Sequence, residues 1–118
     1  MGLTIEMNCW QSLLVEGVLV PREADIKVSL ADGRKVVILC DGEAFHGPRS
    51  VFVDPEVRIA DDINTAKAYF SLGYSVLRYS ETEVHSGIAL LHVIESISRL
   101  SSVSRLYRTW YPIEYMEV

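Results

Sequence analysis

ILCDGEAFHG, residues 38–47, runs from an apolar segment straight into two acids, a histidine and two glycines. With Lys35, Val36 and Val37 before it, the apolar part reads as a central strand covered on both faces, since a strand open to water on one side would alternate. The polar part then falls at a strand end. Upstream, ADIKVSL alternates, with Ile26, Val28 and Leu30 on one face, and Ala31-Asp32-Gly33-Arg34 offers an Asp-Gly hairpin turn back into the apolar strand. Asp25 opens the first of these strands and Asp41 closes the second, so the antiparallel hairpin brings both carboxylates to the same end.

Further out, Thr4 can cap a helix, and Ile5, Cys9, Trp10, Leu13 and Leu14 fall at helical spacing, which predicts an amphipathic helix over residues 5–16 ended by Gly17. Residues 42–55 combine Gly, Pro and polar residues around a short VFV run and read as a long loop or flap. A helix over about 56–72 follows, with Ile59, Ile63, Ala66, Tyr69 and Phe70 inward and Gly73 as a left-handed cap. YSVLRYS, residues 74–80, is the next strand. Ser80 and Glu83 form a capping box for a long helix to about Leu100. A strand, a crossover helix and a second strand imply a right-handed parallel connection. The expected fold is therefore a single α/β domain over 1–118: a mixed sheet, an antiparallel hairpin plus a parallel strand, flanked by helices.

Composition narrows the function. With 118 residues and 49% hydrophobic side chains the chain can bury a core, and its longest strictly apolar run, VVILC, is far below the roughly 20 residues that cross a bilayer. The first ten residues lack a basic segment leading into an apolar one, so a cytoplasmic location is expected. Cys9 and Cys40 sit among apolar neighbours and are expected as buried free thiols. A net charge of −5 argues against nucleic-acid binding by bulk electrostatics, but counts less against a nuclease whose clustered carboxylates hold a divalent cation.

Converging carboxylates repel unless something positive lies between them, and a hard cation such as magnesium or manganese, with water in its open positions, is one solution. That gives Asp25 and Asp41 a metal-binding role. His46 can fold back across Gly42 toward the same strand end, where an imidazole suits proton transfer. Asp62 on the next helix can orient it, and Glu6 on the first helix is a further candidate. Arg49 and Arg58 bracket the flap as candidate phosphate contacts. The basic and aromatic tail, 103–118, is expected as a last strand or helix docking on the core, on a second copy in a homodimer or on a partner protein.

These residues, in this order over Thr4 to about Ile97, resemble the very-short-patch-repair endonucleases of the PD-(D/E)XK restriction-endonuclease-like superfamily. The matching features are Glu6 four residues before Trp10, Asp25 at the start of a hairpin, and an apolar strand running into Asp41-Gly42 with His46 beyond. Asp62 also matches, eleven residues before the GYSVLR strand (73–78), as does Glu83-Val84. The resemblance implies magnesium-dependent cutting of a DNA phosphodiester, with Asp25 as main metal ligand, the backbone carbonyl near Cys40 as another, His46 as proton-transfer residue, and Asp62 and Glu6 in support. Leu39 stands where many relatives have Glu, Ala24 where the name-giving Pro would be, and the superfamily's Lys has no counterpart. The same fold without cutting would bind nucleic acid or a protein partner.

Overall fold

The computed structural model describes residues 3–41, 55–101, 103–110 and 116–117. Six strands lie side by side in chain order: β1 (Leu3–Val15), β2 (Val18–Leu30), β3 (Lys35–Asp41), β4 (Ser75–Ser80), β5 (Leu106–Arg108) and β6 (Met116–Glu117). β1, β2 and β3 pair antiparallel, β3–β4 and β4–β5 parallel, and β5–β6 antiparallel. The helices are α1 (Pro55–Ser71), α2 (Glu81–Ser86) and α3 (Ile88–Arg99). The α/β class with a mixed, helix-flanked sheet is as the sequence indicates.

The sheet has a core on each side. Val37, Leu39 and Val76 pack with Ala66, Tyr69 and Phe70 of α1, whereas Val36, Ile38, Leu77 and Tyr79 pack with Ala89 of α3. Alternation along β3 and β4 sends successive side chains to opposite cores, which is why both strands read as continuous apolar runs. The two crossovers step the same way along the sheet yet lie on opposite faces. They therefore have opposite hands, and one departs from the usual right-handed rule.

The N-terminal segment corrects the sequence expectation of a helix over 5–16, because residues 5–15 lie in a strand and Glu16 in the turn that follows. β1 and β2, thirteen residues each, make a hairpin closed by Glu16 and Gly17, both at positive φ (49° and 81°), as a two-residue primed turn requires. Within it Asn8 is left-handed (φ 52°), and Asn8 and Asp25 face each other without joining the ladder, which runs from Met7↔Ile26 straight to Cys9↔Ala24. The side-chain phase reverses there. Ile26, Val28 and Leu30 belong to the α3-side core, whereas Ala24 and Val20 belong to the α1-side core.

Elsewhere local signals held. Gly33 (φ 95°) makes the tight turn before β3, and α1 ends in Gly73 (φ 92°), whose N–H donates to the Phe70 carbonyl while that of Tyr74 reaches Tyr69. The Ser80–Glu83 capping box is present. The long helix expected after it is broken at Gly87 (φ 84°), which ends α2 and starts α3. The two cysteines are free as expected, but they are not buried: Cys9 is half-buried and Cys40 exposed, because β2 leaves β3 uncovered beyond Ile38. The tail supplies strands β5 and β6. The expected flap, 42–54, lies outside the described residues.

Candidate functional site

A cavity of about 250 Å³ opens at the carboxyl ends of β3 and β4, on the α1 side of the sheet. Its place follows from the topology: α1 runs back against the strands, so its first turns, carrying Arg58, Asp61 and Asp62, stand over the strand ends where Asp41 sits. Parallel sheets characteristically hold ligands at such ends. The cavity is lined by three arginines, Arg22, Arg58 and Arg78, and by five carboxylates, Glu23, Asp25, Asp41, Asp61 and Asp62. The excess of two negative charges leaves room for a cation.

Arg78 lies at the centre of the charge pattern. Its guanidinium is buried in β4, 2.8 Å from an Asp41 oxygen and 3.4 Å from Asp62, both themselves buried. The indole N–H of Trp110 donates to the other Asp41 oxygen at 3.1 Å. Two buried carboxylates without a cation would be costly; the single positive charge of Arg78 bridges them and offsets one of the two, leaving the triad with a net charge of −1. At the rim, Asp61 pairs with Arg22 (3.4 Å) and more loosely with Arg58 (3.8 Å), leaving one excess positive charge there.

Asp25 is different. Because β2 parts from β3 after Ile26↔Ile38, the Cys40 N–H has no strand partner on that side, and the Asp25 carboxylate accepts it at 2.9 Å. Among the described residues Asp25 has no cationic partner. The Cys40 thiol is pushed up, first by partial burial and then by Asp25 and Asp41 beside it, so it stays protonated at neutral pH. A hard cation can be held by one carboxylate with waters and substrate oxygens. Asp25 fits that description, whereas Asp41 and Asp62 are already engaged by Arg78, and among the described residues no three His, Cys, Asp or Glu are grouped to share an ion.

Three further polar groups complete the lining. Thr65 Oγ1, Tyr69 Oη and Arg58 Nε are buried with no hydrogen-bond partner among the described residues. Thr65 and Tyr69 stand one turn apart on α1. Burial pushes the Tyr69 hydroxyl up to about 12, so it remains a donor at any ordinary pH. Orphaned buried donors are uncommon in folded proteins, and several along one cavity suit a ligand rich in acceptor oxygens.

Of the residues singled out in the sequence, Asp25, Cys40, Asp41, Arg58 and Asp62 all line this cavity. Glu6 does not: it is exposed on β1, in register with the buried Lys27 and near Tyr74, since its segment is a strand. His46 and Arg49 lie outside the described residues. The sequence does not single out Arg22, Thr65, Tyr69 and Arg78 as cavity residues, nor Trp110 as the partner of Asp41. Arg78 had a legible signal, a charge inside the apolar run SVLRYS that must meet a counterion if the strand is buried. In the tail, Arg108 stacks over Tyr79 (4.7 Å) and pairs with Glu83, so it serves the interior of the fold. No known family, curated protein or solved structure matches the chain. No helix among the described residues is long and apolar enough to cross a membrane.

Proposed function

We propose that this chain is a metal-dependent endonuclease of the restriction-endonuclease-like kind, acting on DNA phosphodiesters at the cavity between α1 and the ends of β3 and β4. The observation that carries the reading is the pairing of Asp25, a carboxylate without a cationic partner among the described residues, with three orphaned donors in one cavity. Asp25 would hold magnesium or manganese, with the Cys40 backbone carbonyl as a second ligand. When bound, the ion supplies charge neutralisation and an activated water. Arg58, with Arg22, meets phosphate oxygens at the rim, while Thr65 and Tyr69 donate to oxygens deeper in. Arg78 keeps Asp41 and Asp62 fixed and offsets one of their two charges, which makes these two positioning residues. His46 is the proton-transfer residue by resemblance.

The test is cleavage of plasmid and single-stranded DNA with magnesium or manganese, comparing the native chain with Asp25→Asn, His46→Ala and Tyr69→Phe. Cutting is expected in the native protein, lost in the first two and reduced about tenfold in the third, the loss of one donor hydrogen bond of ~1.4 kcal/mol. Cutting that survives Asp25→Asn refutes the assignment. A second reading rests on Leu39, which is buried in the α1-side core where relatives have Glu. On that reading the cavity binds nucleic acid without cutting it, and DNA is retained on a native protein that cleaves with neither metal.

A further inference from the structure

The reversal at Asn8 has a consequence for the surface. Leu3, Ile5 and Met7 stand opposite Leu30, Val28 and Ile26, which belong to the α3-side core, so all three point to the α3 side of the sheet. Beyond Asn8, Leu13 and Val20 face the α1 side, so Trp10, Leu14 and Leu19 also point to the α3 side. A strand without the reversal would have divided these residues between two faces. Here they share one.

That face is bare. α3 covers β3 and β4, and the six hairpin side chains are 56% to 68% exposed. Side chains of this size and exposure present on the order of 700 Å² of apolar surface, more than the roughly 300–600 Å² of the largest patch on a typical monomer and close to the ~800 Å² per partner of a standard interface. α3 adds Leu90, Leu91 and Ile94, exposed on the same side of the sheet. β1 is also an edge strand whose one charged residue, Glu6, lies on the opposite face. Edge strands normally carry charge or proline against pairing, and β1 lacks that protection.

We infer that the α3 side of the β1–β2 hairpin is the interface of a symmetric homodimer, its occupant the same face of a second copy. The only charge on this side of the hairpin is Glu23, opposite Trp10, so there is no pattern demanding an oppositely charged partner and no basic group to hold phosphate. A uniform apolar face complements itself, and a two-fold axis lets each copy bury the other with the same residues. Packing sheet on sheet places the two hairpins about 10 Å apart. Apart from Glu23, which also borders the cavity, the interface residues do not line it, and the dimer does not depend on the activity proposed there.

Sedimentation equilibrium of the full chain at micromolar concentration tests this. The expected mass is twice 13.3 kDa, with a thermal midpoint that rises with protein concentration. Trp10→Glu combined with Leu14→Glu, and separately Met7→Lys, should halve the mass while leaving the far-ultraviolet circular dichroism unchanged, because these side chains are exposed. A native chain that sediments as a monomer overturns the inference. So does a dimer that persists in both folded variants, or one lost only when residues 103–118 are removed.

Discussion

Replacing Arg78 by Leu tests the charge structure of the cavity directly. In the native protein the guanidinium serves Asp41 at 2.8 Å and Asp62 at 3.4 Å, and all three side chains are at most 5% exposed. Leucine fills much of the volume but removes the guanidinium that, among the described residues, pairs with both carboxylates. The loss is not that of a surface ion pair, worth about 0–1 kcal/mol. Breaking a buried pair strands its partner, at about 3–5 kcal/mol. For a chain of this size that lowers the thermal midpoint by roughly 12–20 °C, at ~4 °C per kcal/mol, and removes a large share of a typical stability of about 5–15 kcal/mol.

The pH dependence separates this account from a simple packing defect. Stranded carboxylates can be relieved by taking up protons, so the deficit of Arg78→Leu should shrink as pH falls from 7 to 4, whereas a cavity or rotamer penalty would not change. Adding Asp41→Asn and Asp62→Asn to Arg78→Leu should recover much of the loss at pH 7, because the neutral triple variant no longer buries uncompensated charge. Urea unfolding followed by circular dichroism at pH 7 and pH 4 gives all of these quantities. A single-variant cost below about 1 kcal/mol, or a cost equal at the two pH values, refutes the reasoning.

Three other outcomes follow from particular contacts. His92 Nδ1 shares a hydrogen bond with the Tyr79 hydroxyl (2.6 Å), and His92 is held below its ordinary value of 6.5 by burial and then by Arg108; its contribution is therefore full above pH 6.5 and lost as pH falls, so stability should decline from pH 6.5 downward and His92→Gln should flatten that decline in urea titrations. Burial alone would raise Glu83, but its hydrogen bonds to Arg108 and the Ser80 N–H hold it below 4.5, so a second loss should begin under pH 4.5 and be absent in Glu83→Gln. Gly73→Ala should cost about 1–2 kcal/mol, since φ is 92° and the new Cβ would stand 3.1 Å from Lys35 Cε, and thermal unfolding measures it.

What the sequence revealed was local. The Asp-Gly turn before β3, the apolar strands, the Gly73 cap and the Ser80–Glu83 box are set by residues within a few positions of one another, and each formed as read. Residues 5–16 misled for a definable reason. Strand alternation puts Cys9 and Leu13 on one side and Trp10 and Leu14 on the other, intervals of four that a helix shares. The corrective signal was Glu16-Gly17 between the apolar runs LLV and VLV, a hairpin turn. At Gly87 the helical pattern continued on both sides, so apolar spacing alone could not show the break.

The cavity was legible only in part, because convergence of charge can be read from a hairpin but its neutralisation depends on strands far apart in sequence. Antiparallel geometry was enough to bring Asp25 and Asp41 to one end, and both line the cavity. Converging carboxylates call for a positive charge nearby, but a sequence does not say whether that charge comes from an ion or from the chain. For Asp41 and Asp62 it comes from the chain, through Arg78, thirty-seven residues beyond Asp41 and on the neighbouring parallel strand. Asp25, held by a backbone N–H instead of a guanidinium, keeps its charge uncompensated among the described residues. On the proposed reading the ion belongs at Asp25 rather than at the buried pair, and this difference between three aspartates of one cavity makes Asp25→Asn the variant that should remove metal binding while leaving the Arg78 triad, and with it the fold, intact.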